Sequence, residues 1–389
     1  MKKIAVVTAT RAEYGLLTPL IRRIDEDEAL ELDLIVTGMH LSDKYGYTAN
    51  AIQKDGFLIA HRIPILEKDN TSCGVSITIA NALREFAHCF EQDHPDMVVI
   101  LGDRTEMLGV AVAAMNERIP IAHIHGGEVT EGAVDDCIRH ALTKMSYLHF
   151  TSTEAYRNRV IQLGEAQDRV FNVGALGVEN IRNVQLMGRE ELEKFTGVSL
   201  DRAYAVVTFH PVTLEKNTAV DQVTEVCAAM EIRDDIFFFI TAANADEGGD
   251  EVNRLLREYA ESHKNAKFIY SFGMQRYLSI VKYASFVLGN SSSGIIEVPS
   301  LGVPTVNIGV RQRGRIKSKS VIHCEPEKQS IIAAIEKAMS KEFVSGISNM
   351  VNPYEKEETS KTITEIIKDF LFKQKIDLKK GFYDVGIKC

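Results

Sequence analysis

Several short stretches of this 389-residue chain gather side chains that can move protons or hold anions. The stretch IAHIHGGEVTEGAVDD packs His123, His125, Glu128, Glu131, Asp135 and Asp136 around a pair of glycines. A second stretch, VVILGDR, ends an apolar run in Asp103 and Arg104. Carboxylates and imidazoles exchange protons near neutral pH, so bringing them to one rim is how an acid–base site is built. Plainer roles compete: Asp103 before a helix can cap exposed amides, His123 can be an interior histidine, and Glu131 can face solvent. Metal ligation is the rival chemistry, since His and carboxylates are good ligands, but HxHGGE has no established ligand spacing.

The second set of residues suits an anion. In FVLGNSSSGIIEVPSLGVPTVNIG, small residues after an apolar run let the backbone approach a phosphate. Consecutive amides and the hydroxyls of Ser291 and Ser292 then donate to it. Glu297, expected inside the helix that follows, is a carboxylate that can accept from ribose hydroxyls. VRQRGRIKSK, after what reads as the last strand, is a dense positive patch, and Arg311 stands nearest the strand end. A charge run is also what a solvated face looks like. Arg11, in TATRAEYG, falls in a strand-to-helix turn, where a helix amino terminus and a cation bind anions; a surface arginine would fit there too. TFHP and TAANAD set His210 and Asn244 at further strand ends, and His210 is equally readable as a structural histidine. No GxGxxG occurs, so the dinucleotide fingerprint is absent.

Such residues act together only if strands and helices carry them to a common edge. The first half alternates apolar runs (Ile4–Thr8, Leu32–Thr37, Met97–Leu101, Ile121–Ile124, Leu148–Thr151) with helix-period segments (Leu16–Asp27, Ser76–Glu91, Glu106–Asn116, Asp135–Met145). The second half repeats the rhythm with runs at Tyr204–Phe209, Ile236–Thr241, Lys267–Tyr270, Phe286–Leu288 and Thr305–Asn307. Its helices fall at Val220–Met230, Asp250–Glu261 and Gln275–Ala284. Continuous Val/Ile/Leu runs between helices predict βαβ units and doubly wound parallel sheets. The polar stretch from Asn183 to Arg202 holds no strand-like run and marks a boundary. The expected division is 1–180, 181–365 and a C-terminal helix and tail over 366–389. Two such α/β domains facing a cleft would offer ligands the carboxyl ends of both sets of strands.

The hydrophobic fraction of 45% and charged fraction of 25% suit a folded chain and exclude a disordered one. A net charge of −9 disfavours nucleic acid as a partner. No window resembles a signal peptide or a membrane span. Six scattered cysteines without a CxxC pair read as reduced thiols, so a cytoplasmic location is expected.

In combination, TATRAEYG, VTGMHLSDKYG, LGDR, HIHGGEVTEGAVDDCIRHALTKMS, TFHPVT, GNSSSGIIEVPSLGVPTVNIGVRQRGR and the late FYDV identify a resemblance. The chain resembles the hydrolysing UDP-N-acetylglucosamine 2-epimerases of sialic and legionaminic acid synthesis. The resemblance implies two Rossmann-like domains in a glycosyltransferase-B-like arrangement, a UDP-sugar substrate, no cofactor, no metal, and a homodimer or higher homo-oligomer. It implies that Arg11, Asn244, Ser291, Ser292, Arg311 and Glu297 hold the nucleotide, with His210 near the phosphates. His40, Asp103, Glu128, Asp135 and Asp136 fall near the sugar. Arg104 stands beside them and counts among the nucleotide-holding cations. Some relatives carry a carboxylate where this chain has His125. The catalytic set implied is Asp103, Glu128, Asp135, Asp136, His125 and His210. The alternatives are the same reaction on a GDP sugar or a UDP-diacetamido sugar, a non-hydrolysing epimerase, a glycosyltransferase on the same fold, and a non-catalytic nucleotide-sugar sensor.

Overall fold

A computed structural model of the chain describes every residue except 70, 132–133, 213–217, 244–247, 374–375 and 387–389. The chain forms two compact units. One comprises Met1–Glu128, Asp135–Asn180 and the segment from Lys356 to the C-terminus; the other comprises Val129–Val134 and Ile181–Glu355.

The first unit is built on seven strands: β1 (Lys2–Thr8), β2 (Leu30–Thr37), β3 (His61–Ile63), β4 (Met97–Leu101), β5 (Ile121–Ile124), β6 (Leu148–Thr151) and β7 (Val170–Asn172). They pair in the order β3-β2-β1-β4-β5-β6-β7, all parallel. Along β1 the alternation is plain. Ile4 and Val6 pack with Leu17, Leu20 and Ile24 of the helix Arg11–Asp25, while Ala5 and Val7 pack with Phe86 and Phe90 of the helix Ser72–Asp93. Helices therefore cover both faces, which is why these strands read as unbroken apolar runs.

The second unit repeats this design on β8 (Tyr204–Thr208), β9 (Phe237–Thr241), β10 (Ala266–Ile269), β11 (Phe286–Gly289), β12 (Thr305–Ile308) and β13 (Val321–Cys324). Their order is β10-β9-β8-β11-β12-β13, again parallel throughout. Val207, Phe238 and Ile240 face Val226, Leu256 and Ile335 on one side; Val206, Phe239 and Val287 face Leu278, Val281 and Val298 on the other.

Three expectations need correcting. The chain re-enters the first unit at Lys356, so residues 356–365 do not close a second domain ending at 365. The reason is packing: Ile363, Ile367, Phe370 and Leu371 of the helix Thr359–Lys373 are buried in the first unit's core, and Lys368 reaches Asp27 at 2.6 Å. VRQRGRIKSK does not follow the last strand, because the short β13 lies beyond it. Glu297 is not inside a long helix either. It caps the four-residue helix Ser293–Ile296, and the chain continues as a 3₁₀ turn at Val298–Leu301, where Pro299 has no N–H to extend an α-helix. Among the described residues, no helix is long and apolar enough to cross a membrane.

Candidate active site

In the first unit the strand order reverses at β1, whose neighbours are β2 and β4. Loops leaving adjacent strands on either side of such a reversal diverge and open a crevice at the carboxyl ends. After β1, Thr10 caps the helix Arg11–Asp25 by accepting the Glu13 N–H at 3.2 Å. Arg11 is thus the first helical residue rather than a loop residue. Its guanidinium lies 5.4 Å from the Tyr14 ring centre and 3.8 Å from Asp55. His40, after β2, is fully buried, with Nε2 3.2 Å from the Thr8 hydroxyl and Nδ1 2.7 Å from that of Thr48. Burial, helped by the charge of Arg11, pushes its pKa down to about 4, so the ring is neutral.

After β4 and β5, Asp103, Asp136 and the Glu128 backbone are brought together by a residue the sequence reading passed over. Arg139, in the helix Asp135–Met145, is 1% exposed and forks between carboxylates. One guanidinium nitrogen bonds Asp103; the other bonds Asp136 and also donates to the Glu128 carbonyl at 2.8 Å. A buried planar fork fixes both carboxylates in direction as well as charge. The Glu128 carboxylate is itself buried; it accepts from Ser152 Oγ at 2.7 Å and lies 3.6 Å from His125 Nδ1. His125 has φ 66°, a left-handed backbone that few non-glycine residues adopt, and its N–H is held by the Phe150 carbonyl at 2.8 Å. Gly127 follows at φ 78°, where a Cβ would stand 2.6 Å from the Tyr156 carbonyl. Gly127 therefore lets the chain turn sharply after His125. Asp135 and Asp136 occupy the first turn of their helix, the favourable end for negative charge. Arg104 is tied to the buried Glu106 at 3.2 Å. His123 is fully buried, donating from Nε2 to the Gly102 carbonyl at 2.7 Å, with Nδ1 3.3 Å from Thr143 Oγ1; burial lowers its pKa to about 3. It is an interior histidine, and Glu131 is exposed.

In the second unit the order reverses at β8, between β9 and β11. Here Asn290, also passed over by the sequence reading, joins the two loops. Its side chain accepts the His210 N–H at 2.7 Å and donates to the His210 carbonyl at 2.8 Å. Its own carbonyl accepts from Gln312 at 2.8 Å and from Arg311 at 3.4 Å. Gly289 makes the approach possible: at φ 132° a Cβ would stand 1.9 Å from the Thr208 carbonyl oxygen. Asn290 thus joins His210 to Arg311, and Ser291 and Ser292 follow it in the chain; Arg311 is 8% exposed and Glu297 9% exposed. A nearly buried arginine beside serine hydroxyls and loop amides is suited to an oxyanion or phosphate. The loop Arg313–Arg315 also holds the segment from Val129: Arg315 donates to the Val129 carbonyl at 2.7 Å, and Arg313 lies 3.5 Å from Glu131. Asn244 lies outside the described residues.

Signals for the missed residues existed. Arg139 falls four positions after Asp135, and Asn290 is the first residue past a β-run glycine. Neither type is distinctive by itself, because pairing across strands made them matter. As for metals, the rim histidines form no ligand group among the described residues; the one group with ligand atoms mutually within 4.8 Å is Asp33, His61 and Asp93, elsewhere in the first unit.

Comparison with known proteins agrees with this architecture. The family profile described as UDP-N-acetylglucosamine 2-epimerase matches residues 22–368. The chain is 42% identical over 386 residues to polysialic acid biosynthesis protein P7 of Escherichia coli, covering 99% of this chain and 98% of that protein. It is 42% identical to the GDP/UDP-N,N'-diacetylbacillosamine 2-epimerase (hydrolyzing) of Campylobacter jejuni, with 88% of each covered. The fold superposes on the S. aureus MnaA–UDP co-structure with a TM-score of 0.81 at 17% identity, covering 99% of this chain and 100% of that one. The two Rossmann-like sheets are those of a glycosyltransferase-B-like protein. With its profile match running through both units, the chain belongs to the UDP-N-acetylglucosamine 2-epimerase family.

Proposed function

We propose that the protein hydrolyses UDP-N-acetylglucosamine to UDP and N-acetylmannosamine, inverting the sugar at C2. The observation that carries this reading is the buried Arg139 fork, which sets Asp103 and Asp136 beside the buried Glu128 at the rim of a member of this family. Binding alone needs no such concentration of oriented carboxylates.

The chemistry explains the division of labour. The C2 hydrogen has no adjacent carbonyl to acidify it, so direct enolisation is not available. Breaking the C1–O bond first gives C1 oxocarbenium character, which acidifies that hydrogen. The C1 oxygen and C2 hydrogen of the α-gluco sugar are trans-diaxial, favouring anti elimination to a glucal and UDP. Water then adds at C1 and a proton arrives at C2 from the opposite face. Proton transfer is assigned to Asp103, Glu128 and Asp135, with Asp136 held on the same arginine as Asp103 and His125 beside Glu128. Departure of the diphosphate is assigned to the second unit: Arg311 and the Ser291–Ser292 loop take up its charge, His210 assists, and Glu297 accepts from the ribose. Arg11 and Arg104 supply further positive charge. Asn244 completes the nucleotide set as the family resemblance implies it.

A second reading keeps the reaction and changes the sugar to a diacetamido one; the 42% identical relative named for diacetylbacillosamine favours it. Both readings are tested by turnover in D2O with UDP-N-acetylglucosamine and UDP-N,N'-diacetylbacillosamine. Free N-acetylmannosamine carrying deuterium at C2 supports the first. Turnover of the diacetamido sugar alone supports the second. Release of a sugar with its original C2 configuration and no deuterium overturns both.

A further inference from the structure

Away from these loops, one buried carboxylate is not accounted for by the packing around it. Asp33 lies in β2 opposite Ala5 of β1, so it shares the sheet face of Ala5, Val7 and Ile35. That face is covered by Phe86 and Phe90 of the helix Ser72–Asp93, in one apolar cluster with Val98 and Ile100 of β4. Asp33 is only 3% exposed, and neither of its carboxylate oxygens takes part in a hydrogen bond. Burying a carboxylate without such partners is strongly unfavourable.

What stands beside it is a set of ligand atoms. His61, the first residue of β3, places Nε2 3.5 Å from Asp33 Oδ1 and 2.9 Å from Oδ2 of Asp93, which ends the helix Ser72–Asp93. The three ligand atoms lie mutually within 4.8 Å. Ligands of a tetrahedral Zn²⁺ shell are about 3.3 Å apart, so small side-chain rotations suffice. The other oxygen of Asp93 is occupied by Lys3 at 2.5 Å, which orients the carboxylate and leaves Oδ2 for the cluster; Lys3 also lies 3.6 Å from Glu31. An imidazole with two carboxylates suits a borderline cation of the zinc type rather than Mg²⁺ or Ca²⁺, which favour all-oxygen shells.

We propose that Asp33, His61 and Asp93 form a binding site for a divalent cation of the Zn²⁺ class, which neutralises the buried Asp33 and ties β2, β3 and the helix Ser72–Asp93 together. The site lies toward the end of the sheet opposite the acid–base loops, so its role is to hold the first unit's edge rather than to take part in turnover. It stands independently of the proposed reaction.

The test is Zn²⁺ titration of the chelator-treated full-length protein against a chromophoric chelator, with melting temperature read in parallel. One equivalent bound and a higher melting temperature are expected. His61→Gln and Asp33→Asn should each weaken binding by about 100-fold, since even outer-shell changes at metal sites reach that range. Both should abolish the Zn²⁺-dependent melting shift, while the control His323→Gln keeps it. His61 is partly exposed, so its replacement tests the site even if the Asp33 variant misfolds. No equivalent bound, or His61→Gln binding as tightly as wild type, overturns the proposal.

Discussion

At the scale of single residues, the site depends on carboxylates held by buried partners. Arg139 is the clearest case, because its guanidinium is enclosed and both of its carboxylate partners depend on it. Arg139→Met should lower turnover steeply and destabilise the protein by about 3–5 kcal/mol, the range for breaking a buried ion pair. Arg139→Lys should restore stability better than activity, since a lysine carries the charge but cannot fork. Urea denaturation and steady-state turnover on the same samples check this. Glu13 provides a pH test. It is buried and accepts the Ala9 N–H at 2.6 Å; burial is the largest influence and pushes its pKa up to about 7, against the pull of that bond. The folded state therefore favours the protonated form. Its contribution to stability is full below the unfolded value of about 4.5 and is lost as pH rises through about 7. Glu13→Gln should gain on wild type between pH 5 and pH 8, by on the order of 3 kcal/mol. Melting curves across that range check it. His40 and His123 act oppositely: their lowered pKa values make wild-type stability fall with acid below about pH 6.5.

At the scale of elements, the helix Asp135–Met145 carries Asp135, Asp136 and Arg139 at one end and is anchored at the other by the chain's last segment. Lys380 donates to the carbonyls of Lys144 at 2.8 Å and Ser146 at 2.6 Å, where a cation favours a helix C-terminus. It also reaches Glu165, fully buried, at 2.6 Å, with His149 on the same carboxylate at 3.0 Å. Burial opposes ionisation of Glu165, but these partners and Lys144 together hold its pKa down to about 2. Beyond Lys380, Tyr383 donates its N–H to Gly164, and Phe382 packs on that glycine. Lys380→Met should cost about 1–3 kcal/mol, because Lys144 and His149 still partner Glu165 while the helix carbonyls lose a donor. A lower denaturation midpoint with the substrate's KM little changed is the expected result. The strands of both units were readable because burial on both faces leaves long apolar runs. β3, β7 and β13 were not, since three or four residues at a sheet edge carry too little pattern.

At the scale of the whole molecule, each unit has its own sheet and its own cores. Proposing the nucleotide for the second unit predicts that UDP stabilises the protein by mass action. At 100-fold excess over its dissociation constant, a single-site ligand adds about 2.7 kcal/mol. A higher melting temperature with UDP and little change with GDP is expected in scanning calorimetry. The reverse order would move the assignment to a GDP sugar. Ser291→Ala with Ser292→Ala should reduce the UDP response while leaving the ligand-free melting temperature close to wild type, since both side chains are partly exposed.

The amino-acid sequence alone carried the alternation of strand and helix, the acidic and histidine-rich loops after β4 and β5, the serine loop after β11 and the family resemblance. Each of these is local, written in consecutive residue types whose hydrophobic period or spacing survives without the fold. Tertiary structure decided the rest. It chose which sheet the helix Thr359–Lys373 would cover, paired Arg139 with Asp103 across 36 positions and locked Asn290 to His210 across 80. It also enclosed His40 and Glu13 so that their protonation departs from that of free side chains. Long-range pairing and burial depend on where distant segments meet, and no window of the sequence contains that.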